Sequence, residues 1–263
     1  DADRLDQDEE YDALWETWGI EVLEAIDPGT TKSTAKRFKA ATSCSDAWHP
    51  RHFGLLSMQA RLGLVWVLSW VDKTAKWPSA ICRQLTALIP KSSGGLRPIA
   101  LFPALCILYY RLRAVSERAW MRSLNEPALN NVAGQGVGDS TWRMQVIREL
   151  LSSDDCALEL QLDIAQAFDM VRRGQLLRAA RDVGYPMGAL VLSLAAYKFP
   201  RAIAFERLAS SDILAARGVA AGSAAVTFEL MALLLPVIRS IRVKHPGAVL
   251  CDHVDDIAAT GQG

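Results

Sequence analysis

Long hydrophobic runs are missing from this sequence. The longest apolar stretch, Leu62 to Val71, is closed by Arg61 and Asp72, far short of the ~20 residues that a membrane-spanning helix needs, so no membrane partner is expected. A basic leader is missing too. The first residues are acidic, which leaves no visible secretory or transit signal, and Asp1 as first residue points to an N-terminus lying further upstream. Localisation stays open, with nucleus and cytoplasm both compatible. Cysteine is sparse: Cys44, Cys82, Cys106, Cys156 and Cys251 are odd in number, widely spaced and mostly in apolar surroundings, which fits reduced core thiols better than disulfides. His49 and His52 lie near Cys44, but no second cysteine stands at ligand spacing, which argues against zinc. Internal repeats and low-complexity tracts are also absent.

Net charge is lacking as well, and that at first argues against a nucleic-acid partner, because neutralising phosphates takes Lys and Arg. The distribution reverses this. Residues 1–27 carry eleven acids and one base, a balance of −10, which leaves eighteen acids and twenty-eight bases, or +10, for residues 28–263. The first segment reads as a solvated acidic helix; a bolder reading has it shield a basic groove. Ser33, Lys36 and Arg37 read as part of a solvated basic face.

What is present is enough to bury a large core: 263 residues, 51% of them hydrophobic. Leu14, Trp18, Val22 and Ile26 recur at helical spacing, and Asp27-Pro28-Gly29 reads as the break that ends the pattern. A polar basic stretch follows over Lys32 to Lys39. Asp46 to Pro50 then turns into a helix at about Phe53 to Val71. Leu85 to Ile89 and Leu96 to Leu101 form a hairpin across a Gly-containing turn. Pro103 opens a helix to about Leu124, residues 125–138 form a loop, and Asp139 or Ser140 caps a helix to about Leu151. A strand over Ala157 to Ile164, helices at Met187 to Tyr197 and about Ala224 to Val243, and a strand at Arg201 to Glu206 come next. Last are strands Ala248 to Val254 and Ile257 to Thr260, joined at Asp255-Asp256.

An acid at the end of one strand, Asp163, and an acid pair at a later hairpin, Asp255 and Asp256, is the carboxylate set that a two-metal phosphoryl-transfer site requires. Mg²⁺ takes hard oxygen ligands, and strands hold carboxylates in place. Two ions ~3.5–4 Å apart can then serve an attacking hydroxyl and a leaving pyrophosphate together. A lone acidic pair in a polar turn, such as Asp154-Asp155, reads simply as solvated. The flanking strands set Asp255-Asp256 apart, since burying such a pair without cations is costly.

These residues resemble a known family. Leu162-Asp163-Ile164-Ala165-Gln166-Ala167-Phe168-Asp169-Met170-Val171 is similar to motif A of reverse transcriptases of the non-LTR retrotransposon kind. His253-Val254-Asp255-Asp256 resembles motif C, with His where Tyr or Phe is usual. Ile89-Pro90-Lys91 and Arg97-Pro98-Ile99 resemble the fingers hairpin, and Thr42 to Phe53 the upstream motif. Arg217-Gly218-Val219-Ala220-Ala221-Gly222-Ser223 resembles motif B, with both glycines kept and its glutamine replaced by Ala221.

The resemblance implies an α+β right-hand polymerase fold of fingers and palm, with an antiparallel palm sheet packed by helices. Its division would be an acidic helix and linker at 1–38, fingers at 39–155 and palm at 156–263. Motif C lies seven residues before Gly263, so no thumb is expected, and with it weak primer-template binding. The roles it implies are metal ligation by Asp163, Asp255, Asp256 and the Ile164 carbonyl, with two Mg²⁺ that Mn²⁺ can replace. Lys91 and Arg97 would hold the triphosphate, Phe168 would stack under the sugar and exclude a 2′-hydroxyl, and Gly222 would support the templating pair. The implied partners are an RNA template, a DNA primer and dNTP, with a fused or associated endonuclease in the full element. The competing readings are a degenerate remnant that binds nucleic acid without polymerising, favoured by Ala221 and the missing thumb, and an RNA-templated RNA polymerase or another palm-domain cyclase, which Phe168 and the fingers hairpin argue against.

Overall fold

The chain is described by a computed structural model covering residues 23–92, 94–124, 126, 128–129, 137–151, 157–254 and 256–262. The acidic helix expected over the first residues therefore lies outside the described residues except at its end, as does most of the loop expected at 125–138. Asp27-Pro28 starts a helix instead of only ending one: α1 spans Pro28–Lys36, with Asp27 Oδ2 accepting the Thr30 amide at 2.6 Å. An aspartate cap followed by proline at the first helical position is a strong start signal.

The expected second helix is split. Residues Pro50–Leu55 form a 3₁₀ turn, and α2 runs from Met58 to Thr74 behind its Ser57 cap. Strands β1 (Gln84–Pro90) and β2 (Leu96–Leu101) pair antiparallel as expected, Ile89 opposite Arg97. Helix α3 (Ala104–Ser123) follows Pro103. Helix α4 (Val137–Leu151) begins earlier than expected, so Asp139 sits in its first turn. Then come β3 (Ala157–Asp163), α5 (Arg173–Asp182), α6 (Met187–Tyr197), β4 (Arg201–Phe205), β5 (Leu208–Ala209), α7 (Val226–Lys244), β6 (Val249–His253) and β7 (Asp256–Gln262).

The described strands form two sheets, and the fold is α+β. One has the order β2-β1-β4-β5, with β4 parallel to β1; the other is antiparallel, in the order β3-β7-β6. One hydrophobic core reaches from Ile26 to Leu250 and is centred on α3, α6 and α7. Trp77 meets Tyr109 edge-on at 5.2 Å and donates its indole N–H to the Leu192 carbonyl at 3.0 Å. Gln84 donates to the Ala196 carbonyl at 2.7 Å. These two bonds pin β1 and the segment before it to α6, which is apolar nearly all round and buried accordingly.

Two carboxyls sit inside this core. Glu117 accepts from the Tyr185 hydroxyl at 2.7 Å and Glu229 from the Tyr197 hydroxyl at 2.6 Å. Burial dominates both: it pushes Glu117 up to about 7 and Glu229 to about 8, against an ordinary value of 4.5. The folded chain thus keeps protons that the unfolded chain loses above pH 4.5, so stability falls as pH rises through this window and levels off above about 8. In Glu229→Gln the amide oxygen can still accept from Tyr197 while nothing ionises. Thermal melts should show a shallower fall of Tm between about pH 5 and 8 than in the parent chain; an equally steep fall would show that Glu229 does not carry it.

Candidate active site

The carboxylates of the candidate site are positioned by the β3-β7-β6 sheet. Asp163, the last residue of β3, is the register partner of Asp256, and Asp256 is also the partner of His253 across the β6–β7 hairpin. Residues directly opposite in antiparallel strands have Cβ atoms ~4.5–5.5 Å apart, so the topology sets two acids 93 positions apart in sequence at one end of a rigid sheet. The tight turn differs from expectation by one residue. Strand β6 ends at His253, Val254 follows in a turn, and Asp256 is already the first residue of β7. Val254 takes a positive φ of 66°, which is costly for a β-branched side chain and is held by the closed hairpin around it. Asp255 lies outside the described residues.

Beyond Asp163 the chain coils through residues 165–170, where the Ile164 carbonyl accepts the Ala167 amide at 3.2 Å. A carbonyl has a second lone pair, so this bond leaves Ile164 able to face a cation. Phe168 is half-buried against the core and fixed by its backbone: its carbonyl accepts the Val219 amide at 2.9 Å, and the Val171 carbonyl accepts the Gly218 amide at 2.8 Å. The loop at 217–223 is thus bonded directly to the segment that follows Asp163.

Glycine is required in this loop for two different reasons of space. At Gly218 (φ +89°) a Cβ would stand 2.9 Å from the Asp169 carbonyl oxygen; at Gly222 (φ +120°) it would stand 2.3 Å from that of Ala100. The second contact is part of a crossing of loop and sheet, since the Ala100 amide of β2 donates to the Ala221 carbonyl at 2.7 Å. Ala221 serves here through its backbone. Buried Arg173 completes the anchoring by donating to the carbonyls of Gly218 at 3.0 Å and Tyr197 at 3.1 Å. Arg201 also donates to the Tyr197 carbonyl, at 3.2 Å, and its burial lowers its affinity for the proton while nearby Asp169 opposes that. Arg173 did not stand out in the sequence, since its partners are main-chain carbonyls 45 and 24 residues away.

Lys91 and Arg97 stand apart from the carboxylates, on the exposed β1–β2 hairpin of the other sheet, where the Lys91 amide donates to the Gly95 carbonyl at 3.0 Å. The base of that hairpin borders a cavity of about 470 Å³ lined by Ala100, Phe102, Gly222 and the cations Arg37, Lys39 and Arg111. Arg111 is held over the Phe38 ring, 5.2 Å from its centroid.

The upstream residues have local structural roles. Asp46 takes the Ala104 amide on both carboxylate oxygens, at 3.2 and 3.1 Å, and so caps α3 from a distance. His49 and His52 form a reciprocal cap on the 3₁₀ turn, with His49 Nε2 at 3.1 Å from the Lys39 carbonyl. Cys44, Cys82 and Cys106 are free thiols. No helix among the described residues is long and apolar enough to cross a membrane. No protein-family model matches the sequence, and none of the curated proteins matches it.

Proposed function

We propose that the chain is the fingers and palm of a reverse transcriptase of the non-LTR retrotransposon kind, adding dNMP from dNTP to a primer 3′-hydroxyl on an RNA template. The observation that carries this reading is the register of Asp163 against Asp256, two acids from separate motifs meeting at the tip of one sheet. Opposed carboxylates repel unless a cation lies between them, and hard oxygen donors on rigid strands suit Mg²⁺ or Mn²⁺. Asp163, Asp255 and Asp256, with the Ile164 carbonyl, would hold the two ions. When bound, such ions supply charge neutralisation at a transferring phosphoryl group.

The protein's own groups do the rest. Phe168, held by the Val219 amide, offers a fixed ring edge to the sugar and so favours dNTP over NTP. The loop at Gly222, pressed against Ala100, offers a flat backbone platform to a base pair. The cations around the neighbouring cavity suit a phosphate backbone. Lys91 and Arg97 on the exposed hairpin are free to close over a triphosphate, Arg97 in bidentate fashion.

Nucleotide binding tests the reading directly. With Mg²⁺ present, dNTP at about tenfold its Kd should stabilise the chain by about 1.4 kcal/mol, roughly 3–6 °C in Tm for a domain of this size. NTP should give less, and Arg97→Ala should lose most of the shift without changing the unliganded Tm, because Arg97 is exposed. Equal shifts with dNTP and NTP, or a shift untouched in Arg97→Ala, would count against it.

A further inference from the structure

The cavity of about 470 Å³ at the base of the β1–β2 hairpin gathers positive charge from several parts of the chain. Arg37 is the residue that ends α1, Lys39 lies two positions further on, and Arg111 stands on α3. All three are exposed and line the cavity, and none is ion-paired among the described residues. No acidic side chain lines it. The backbone adds a further contribution. Residues 222–224 border the same cavity and lead into α7, a helix of 19 residues whose capping position is Ala225, with no side chain to bond its first amides. The partial positive charge of a helix start therefore lies at this edge.

The remaining walls ask for something other than a bare anion. Phe102 and Ile107 make part of the lining apolar. Tyr110 lines it too: it is 3% exposed, packs edge-on against Phe102 at 5.8 Å, and its hydroxyl is buried with no hydrogen-bond partner among the described residues. An unpaired buried hydroxyl is costly, so a ligand atom that bonds it is favoured. The matching ligand carries a phosphate for the cations and a flat, largely apolar body with a polar edge for Phe102, Ile107 and Tyr110. The volume is in the range of small-molecule sites and accommodates one nucleotide. Three cations and a helix start suit the nearly two negative charges of a phosphate monoester better than the single charge of a diester inside a strand.

We propose that this cavity binds a nucleoside 5′-monophosphate group, as a free mononucleotide or as the 5′-phosphorylated end of a strand. Arg37, Lys39 and Arg111 hold the phosphate, and the base lies along Phe102 and Ile107 toward Tyr110. The site takes its ligand without a metal and uses neither Asp163 nor Asp256. It is therefore independent of the polymerase reading and would stand if that reading failed.

Isothermal titration calorimetry on the full chain tests it, with adenosine 5′-monophosphate, adenosine and inorganic phosphate as probes, in EDTA so that metal-dependent binding at the carboxylates does not contribute. The monophosphate should bind at least about tenfold more tightly than adenosine or phosphate alone. Arg37→Gln combined with Lys39→Gln, both at exposed positions, should weaken it by about tenfold with Tm unchanged. Arg207→Gln, at the exposed β4–β5 turn, should not weaken it. Tyr110→Phe should weaken it severalfold without lowering Tm, since the hydroxyl removed is unpaired. If the double variant melts below the parent, Arg111→Gln on α3 decides, and it should weaken binding by about threefold or more. A 5′-phosphorylated RNA oligonucleotide that binds more tightly than its 5′-hydroxyl counterpart assigns the site to strand ends; equal binding of the two assigns it to free mononucleotides. The proposal is overturned by monophosphate binding no tighter than that of adenosine, or by binding that survives loss of the cations.

Discussion

Gly222→Ala should lower the stability of the chain by on the order of 2–4 kcal/mol. Two independent costs add at this position. The backbone holds φ +120°, which an L side chain rarely adopts, and the new Cβ would stand 2.3 Å from the Ala100 carbonyl oxygen. That oxygen belongs to β2 and cannot rotate away as a side chain could, so the loop must lift from the sheet. Lifting it breaks the bond from the Ala100 amide to the Ala221 carbonyl and spreads the wall of the cavity. Thermal and urea melts should show the loss, and nucleotide binding should fall with it. Gly218→Ala, which meets the Asp169 carbonyl at 2.9 Å, should be affected less. A Gly222→Ala chain as stable as the parent would mean that the crossing of loop and sheet is looser than these distances require.

Asp163→Asn carries the largest expected effect on activity, a loss of roughly 10³-fold or more in primer extension, since several kcal/mol of charge stabilisation are removed from the reacting centre. Its effect on stability should have the opposite sign. Asp163 is exposed at the end of β3 and opposes Asp256, so removing one of two facing charges relieves repulsion. Without divalent ions the variant should therefore melt slightly above the parent. Adding Mg²⁺ should raise the parent's Tm and leave the variant's nearly unchanged, which separates a lost ligand from a damaged fold. An extension rate within tenfold of the parent would remove Asp163 from the catalytic set.

Much of the arrangement was legible in the sequence wherever the signal is local. The strand ending at Asp163, the hairpin around Gly94 and Gly95, and the apolar helix after Pro186 follow from periodicity and turn residues a few positions apart. What was not legible depends on partners distant in sequence or on one residue of register. Asp27-Pro28-Gly29 carries both a stop and a start signal, and only the packing of α1 with buried Ala35 and Phe38 decides for the start. The hairpin turn fell one residue early because Asp256 gains two register partners, His253 and Asp163, by joining β7. The parallel pairing of β4 with β1 joins residues more than 100 positions apart, and no local pattern encodes it. Arg173 and Asp46 act on main-chain groups 45 and 58 residues away. In each case the side chain is visible in the sequence and its partner is not.

Extension of a DNA primer on an RNA template, with Mg²⁺ and dNTPs, tests the central claim most directly. The account predicts template-directed addition of dNMP by the parent chain, discrimination against NTP, and loss of addition in Asp163→Asn. A folded chain that binds the primer-template yet adds no nucleotide would contradict it and favour a remnant that binds nucleic acid without polymerising.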